Sequence, residues 1–583
     1  MAPHRASAFW NSHLQARSLV SFAIVGAVTA VWLLVLSWRW PYLDQIPLFD
    51  ADVTTAFTSQ VLHNWWVENP VKIWFATPFY SSSVETPLLS ERVLYQSWPP
   101  GAYIPIYLVG LLLGVEPTVP MINWFNAVSH GLIGIAVAFT AFNIAKIGRF
   151  TESTSAFIAV AAALPVLVEP SLGYIFSQIY CVTTAVLLYV AFFIMLEAQS
   201  FTVTEPRTRS RILALQLLII YPAFLVDWLA YTLFAFWLVL RLLAIRFGFQ
   251  ARWSLRQWAG LLAMPVSAFG LYLIWRLFTP GSLAQRMGIF ASLKELAGKV
   301  AFRMNVDTDL LSFGASDYPL TFRSFLSIFA EMHSNSFFAG SLFVILGLAL
   351  ASGFFLLVAH RASKSRDDRY RIFAIGTLLG IVLVPLYLHM IVLYQHTSIH
   401  RWAISKALFA YSLIPIALFP ASIALAASAH RLKVPSIKID NRILVAVAVI
   451  AFLSLTYASE FSRASPRFQS HYLEGRIDRD NYLFWRQVGE HVGYRDVVFT
   501  PIKAGSWVTR NSVSKKLIHM AEDFQAVDRA VRKICGDFNV VVILDRGAAL
   551  GRFSEKTPSE IVDTKRFRLL RFSDYAGLRT GCH

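Results

Sequence analysis

Residues 48–57, LFDADVTTAF, place two carboxylates, Asp50 and Asp52, just beyond a long apolar segment. A carboxylate so placed can take the proton of an attacking hydroxyl. A second polar group lies far along the chain in YQHTSIHR, which holds Gln395, His396, His400 and Arg401. A guanidinium beside imidazoles suits phosphate oxygens. Together these residues fit the displacement of a phosphate leaving group, with Asp50 or Asp52 as base and Arg401 with His400 or His396 neutralising the phosphate. Attack in a single step would invert the reacting centre. A divalent cation, Mg²⁺ or Mn²⁺, between acid and phosphate is compatible with this chemistry, although no ligand spacing demands one. Further candidates are Glu85, Glu169 before Pro170, and Asp227 in FLVDWLAY.

Each candidate also has a plainer role. Asp52 precedes a helix-like run and is equally an N-cap of a helix starting at Val53. Glu169 fits a helix end, and Asp227 beside Trp228 fits a solvated interfacial acid. His400 and Arg401 fit a headgroup anchor, and His389 a packed histidine. Asp50 has only the generic alternative of a solvated loop acid.

The elements that must position these residues are membrane helices. Of the 583 residues, 56% are hydrophobic and 15% charged, against about a quarter charged in soluble domains. Apolar runs of about 20 residues recur, long enough to span a bilayer. The first, Leu19 to Trp38, is too long for a signal-peptide core and lacks a small-residue cleavage site, so it reads as a retained span. The net charge of +17 does not indicate nucleic acid. Its excess falls in short links: Lys146 and Arg149; Arg207, Arg209 and Arg211; Arg241 to Arg256; residues 360–371; and residues 430–442. Such links mark the cytoplasmic side.

This threading predicts an α-helical polytopic membrane protein with about eleven spans. Tyr103 to Gly114, short and containing Pro105, is then re-entrant or interfacial. A transmembrane domain covers residues 1–461, with outer loops at 41–100 and 279–335. The tail, 462–583, reads as a small extracytoplasmic α/β domain from DVVFTP (496–501), a helix around Ala526 to Ile534, NVVVILDR (539–546) and FRLLRF (567–572). It has no Gly-rich phosphate loop. Cys535 and Cys582 in this tail would pair in an oxidising compartment or remain free thiols. The candidate acids, the histidines and Arg401 all fall on the outer rim.

The first outer loop closes on YQSWPPGAYIPIYLVGLLLG, where Tyr95 and Trp98 lead into Pro99 and Pro100 at a helix start. A later polar turn enters a helix as GYIFSQIYCVTTAVLLYVAFF, with Gln178 within it. An acidic motif after span one, a long loop, an aromatic-Pro-Pro helix start and this polar turn resemble, in that order, the GT-C superfamily of integral-membrane glycosyltransferases. Protein O-mannosyltransferases and bacterial aminoarabinose transferases are members. The likeness covers residues 15 to 200, and the general layout extends it to about residue 460.

The resemblance implies sugar transfer from a polyprenyl-phosphate carrier to an extracytoplasmic glycan, lipid or protein, in the inner (plasma) membrane, with a first-loop acid as catalytic residue. Where many members carry adjacent Asp-Glu, this chain has Asp-Ala-Asp. Where some have a basic residue before Pro-Pro, it has Trp98. One rival is an envelope polysaccharide ligase or polymerase, which would use the bases of the 279–335 loop: Arg286, Lys294, Lys299, Arg303 and Arg323. A transporter or flippase would require midplane charge pairs and internal repeats, which the sequence does not show.

Overall fold

The computed structural model describes residues 3–40, 43, 51–97, 99–168, 181–303, 322–336, 342–393, 397, 401–430, 476–503, 507–532, 534, 537–546, 553 and 556–575. Its helices are α1 (Pro3–Arg39), α2 (Ala51–Glu68), α3 (Ile104–Leu113), α4 (Val119–Ile147), α5 (Glu152–Val168), α6 (Cys181–Thr202), α7 (Pro206–Phe224), α8 (Leu229–Arg246), α9 (Leu255–Phe278), α10 (Leu283–Met287), α11 (Ile289–Arg303), α12 (Phe322–Ser336), α13 (Leu342–Ala362) and α14 (Arg366–Val392). A 3₁₀ turn, Arg401–Ala407, then leads into α15 (Leu408–Leu413). A π-helical turn, Ile414–Leu418, links it to α16 (Phe419–His430).

Among the described residues, eight helices are long and apolar enough to cross a membrane. The shorter α5, and α7 with three arginines near its start, bring the helices that match the expected spans to ten. The last expected span, 443–461, lies outside the described residues. The chain is a membrane protein.

Small side chains let the central helices approach closely. Ala136, Ala138, Ala141 and Ala145 of α4 and Ala159, Ala161, Ala162 and Ala163 of α5 are all buried. A Cβ at Gly134 would fall 2.8 Å from a methyl of Leu167. The run from Tyr103 to Gly114 holds the ten-residue α3 between those two caps, about 15 Å long and too short to cross. It stops at Gly114, whose φ of +67° is the left-handed cap that glycine adopts without strain.

Charge sorts to the two ends of the bundle. At one end Arg149 pairs with Asp367 and Asp368. There too Arg371 donates to the Ile147 carbonyl at 3.2 Å, and Arg366 to that of Gly248 at 2.9 Å. Arg209 reaches the Tyr370 hydroxyl, and buried Glu197 accepts from Arg241, Gln216 and Trp237. These segments include four of the basic links of the threading, gathered as expected on one side. The other end carries the first loop. Arg92, buried, meets Glu68 through two bonds of 2.7 Å. Gln96 and Arg276 exchange backbone contacts, with Arg276 also held by Glu295.

The tail is a doubly covered sheet of order β2-β1-β3-β5-β4. Its strands are β1 (Asp496–Thr500), β2 (Ile518–Met520), β3 (Phe538–Asp545), β4 (Glu560–Asp563) and β5 (Phe567–Tyr575). β1, β2 and β3 are parallel, β5 runs antiparallel to β3, and β4 runs antiparallel to β5. Alternation sends Val498, Val541 and Ile543 to one face, under α17 (Arg476–His491) and α18 (Trp507–Ser514). Val497, Phe499, Val540 and Val542 face α19 (Phe524–Val531). The first of these cores also buries Ala56 of α2 and Val119 of α4.

The sheet is therefore docked on the loop end of the bundle. Reporter tags inserted at Lys72, in the first loop, and in the tail after Tyr575 are expected to report the same compartment in a protease-protection assay; opposite results would break this arrangement.

Candidate functional site

Docking of the sheet leaves a cleft of about 620 Å³ between α2, the α3–α4 turn and the ends of α17 and α18. Ala56, Ser59 and His63 line it from α2, and Glu116, Thr118 and Val119 from the turn. Ser512 to Lys516 close the far wall. The spacing 56, 59, 63 marks one helical face, and extending it by one turn includes position 52.

Three polar groups from distant parts of the chain meet at the cleft. His63 Nδ1 lies 2.8 Å from Glu116 Oε1, and Lys515 Nζ lies 3.0 Å from the same oxygen and 3.1 Å from His63. Lys515 is held there with φ of +58°, a backbone state rare for a side chain with a Cβ. The His63 hydrogen bond, followed by the Lys515 charge, holds the Glu116 pKa down to about 2 against an ordinary 4.5, although burial opposes the shift. A depressed carboxylate pKa adds stability above its ordinary value, and that stability is lost as pH falls toward the folded value. The melting-temperature gap between wild type and Glu116→Gln should therefore be full at pH 6 and shrink between pH 4.5 and pH 3. A gap constant with pH would remove the carboxylate from this contact.

A second cluster lies on the bundle side of the same end. Asp227 is buried, accepts from the Leu229 amide at 2.7 Å, and has Lys406 Nζ at 3.6 Å and His389 Nε2 at 3.8 Å. Lys406 and His389 are themselves 2.9 Å apart. The solvated-acid alternative for Asp227 is thus overturned: it is the counter-charge of a buried lysine. Its turn also carries the Pro-Pro segment, because the Gly101 amide donates to the Leu225 carbonyl at 3.1 Å. A Cβ at Gly101 would sit 2.3 Å from that oxygen, so only glycine fits.

Removing one member of a buried ion pair costs about 3–5 kcal/mol, whereas exchanging both for apolar residues is often neutral. Asp227→Leu and Lys406→Met should each lower the melting temperature of the purified protein sharply. The double variant should recover most of the loss, and additive losses would show the pair is not coupled.

Of the other predicted residues, Glu85 is half-buried with its carboxylate 2.7 Å from His519 Nε2 of β2, a tie between loop and sheet. Tyr95 packs edge-on with Phe57 and Phe79. α2 begins at Ala51, not Val53. Asp52 therefore stands in its first turn rather than before it, and Asp50 is the residue preceding the helix. Arg401 opens the 3₁₀ turn that contains Lys406. Asp50, Trp98, Glu169, Gln178, Gln395, His396 and His400 lie outside the described residues, as do the side chains of Asp52 and Arg401 and both Cys535 and Cys582. Among the described residues no three His, Cys, Asp or Glu side chains converge as metal ligands.

Sequence reasoning missed His63, Glu116, Lys515 and Lys406. Lys406 had a signal: it is a lone charge within the apolar run after Arg401, costly at membrane depth. The other three are joined only by folding.

No protein-family model matches the chain, and no curated protein matches it. Solved structures do. The apo oligosaccharyltransferase of Archaeoglobus fulgidus is 12% identical, with 90% of this chain covering 69% of that one at a TM-score of 0.47. The same protein with Zn and sulfate gives 12%, 88%, 67% and 0.48. ArnT from Cupriavidus metallidurans bound to undecaprenyl phosphate gives 12%, 95%, 98% and 0.40. Likeness at this level assigns neither an activity nor a substrate to the chain.

Proposed function

We propose that the chain is a GT-C-type glycosyltransferase that moves a sugar from a polyprenyl-phosphate donor to an acceptor glycan, lipid or protein. In this proposal the protein sits in the inner (plasma) membrane, with the cleft and the sheet unit on the extracytoplasmic side. One observation carries it. The helix that begins at the Asp50–Asp52 motif runs along the wall of a polar cleft, at the bundle end opposite the arginine-rich links. The order of motifs along the chain supports the same assignment.

In this mechanism Asp50 or Asp52 accepts the proton of the acceptor hydroxyl as its oxygen bonds to the anomeric carbon. The bond from that carbon to the phosphate oxygen breaks, configuration inverts, and polyprenyl phosphate leaves. Arg401, with His400, His396 and Gln395, neutralises the departing phosphate. Asp50 and Asp52 are the carboxylates that would hold a divalent cation, Mg²⁺ or Mn²⁺, whose contribution would be further charge neutralisation. Position 52 shares the helical face of Ala56, Ser59 and His63, which supports Asp52 as strongly as loop position supports Asp50.

Two of the five bases of the 279–335 loop are engaged within the protein, which favours this proposal over a ligase. Arg286 is engaged by the Ser90 and Arg92 carbonyls, and Lys299 pairs with Glu295.

Membranes supplied with a polyprenyl-phosphate sugar provide the test. Replacing the general base should lower transfer about 10²–10⁴-fold, so one of Asp50→Asn and Asp52→Asn is expected to lose activity on that scale at unchanged expression. Full transfer by both would overturn the assignment of the base. Arg401→Ala should raise the apparent KM for the donor.

A further inference from the structure

In the second outer loop, α11 is amphipathic the wrong way round for a helix packed on a protein in water. Ile289, Phe290, Leu293, Ala297 and Val300 are exposed, Phe290 by 89%. With about 3.6 residues per turn they form one stripe about 100° wide. Ser292 and Glu295 occupy the side turned to the protein. Ser292 is fully buried, and its carbonyl accepts from the Arg276 guanidinium at 3.3 Å. Glu295 pairs with both Arg276 and Lys299. A helix on a soluble surface turns its apolar side inward and its polar side to water. Here the polar side is inward, so the outward stripe calls for an apolar surrounding.

The neighbouring elements give its depth. Arg276 belongs to the last turn of α9, a helix long and apolar enough to cross a membrane. Ile274 and Phe278 near that end are exposed, as are Leu262 and Val266 further along. The middle of α11 is therefore tied to the level at which α9 leaves the bilayer, and its stripe adds to the apolar surface that α9 offers to lipid. The first loop presents apolar residues beside the same turn. Trp275 Nε1 of α9 donates to the Trp74 carbonyl at 3.0 Å, and Trp74 and Val71 are both exposed. Tryptophans gather at the boundary between acyl chains and headgroups. Lys294, exposed at the margin of the stripe, suits the same boundary, its stem among apolar groups and its ammonium in the headgroups.

We propose that α11 is a membrane anchor whose stripe from Phe290 to Val300 is bedded in the acyl chains of the leaflet on the side of the sheet unit. The occupant of the stripe is phospholipid, because a membrane span fixes its depth and the lipid-facing surface of that span adjoins it. The anchor also sets the height of the first loop above the bilayer. Gln96 Nε2 donates to the Arg276 carbonyl at 3.1 Å, the Leu283 amide to Gln96 Oε1 at 3.2 Å, and Arg286 to the Ser90 carbonyl at 3.1 Å. The loop that leads from α2 is thus fastened to a helix that lipid holds in place. None of this depends on the transferase proposal.

Photo-crosslinking from the stripe tests the anchor. The photoreactive residue p-benzoyl-phenylalanine is placed singly at position 290, 293 or 490 of the full-length protein. Position 490 is an exposed site on the rim of the cleft and serves as the control. Each protein is reconstituted in phosphatidylethanolamine–phosphatidylglycerol nanodiscs, its melting temperature is compared with wild type, and its intact mass is measured after irradiation. Positions 290 and 293 are expected to gain the mass of one phospholipid, and position 490 to gain none. Because the label at 290 replaces one aromatic ring by another, it should melt as wild type does, and either stripe position suffices if the other label disturbs the fold. No lipid adduct from a stripe position in a protein that melts like wild type overturns the proposal. So does a crosslinked pair of chains in place of the lipid adduct, which would give the stripe to a second copy. A lipid adduct of equal yield at position 490 overturns it as well, because the label would then be reporting lipid contact without regard to place.

Discussion

Burial of one face of α2 against the sheet unit is the interaction on which the working end of the molecule depends. Ala56 of α2 and Val119 of α4 lie in the same apolar core as Trp485, Val513 and Phe567. That contact encloses the cleft and brings Lys515 within bonding distance of His63 and Glu116. Without it, the side of α2 that carries Ala56, Ser59 and His63 would face solvent and the cleft would lack its far wall. Glu85 with His519, and the Val84 amide donating to the Tyr494 carbonyl at 3.0 Å, hold the loop to the sheet at a second place.

The bundle supplies a platform with two unlike ends. Apolar helices cannot hold charge cheaply along their length, so charge accumulates where helices stop. One end is a lattice of arginines satisfied by Asp367, Asp368, Glu197 and backbone carbonyls. The other has fewer, more deeply buried ions, each tying two distant segments: Arg92 with Glu68, Arg276 with Glu295, Asp227 with Lys406. The first kind orients the protein; the second fixes geometry.

Much of the architecture was legible in the sequence, because it follows from local patterns. Apolar run length marks the helices, link arginines mark one end, and the dozen residues from Tyr103 form a helix too short to cross. In the tail, the runs at 496–501, 539–546 and 567–572 are β1, β3 and β5 to within a few residues. The three-residue β2 and the charged β4 carry too little alternation to stand out. α2 starts two residues ahead of Val53: Asp52 has the chemistry of a cap, yet Asp50, the residue before Ala51, has it too. The site was legible only where one residue violated its surroundings, as Asp227 does. Glu116 and Lys515 are ordinary residues in ordinary loops, 399 positions apart. Only the fold makes them neighbours.

The brevity of α3 has a further consequence. At about 15 Å it reaches roughly half the thickness of a hydrocarbon layer. Leu108, Leu111, Leu112 and Leu113 turn outward along it, Leu112 being 86% exposed. A helix of that length with leucines on its outer side can meet the acyl chains of one leaflet without reaching the other, so at α3 the apolar surface offered to lipid stops near the middle of the layer.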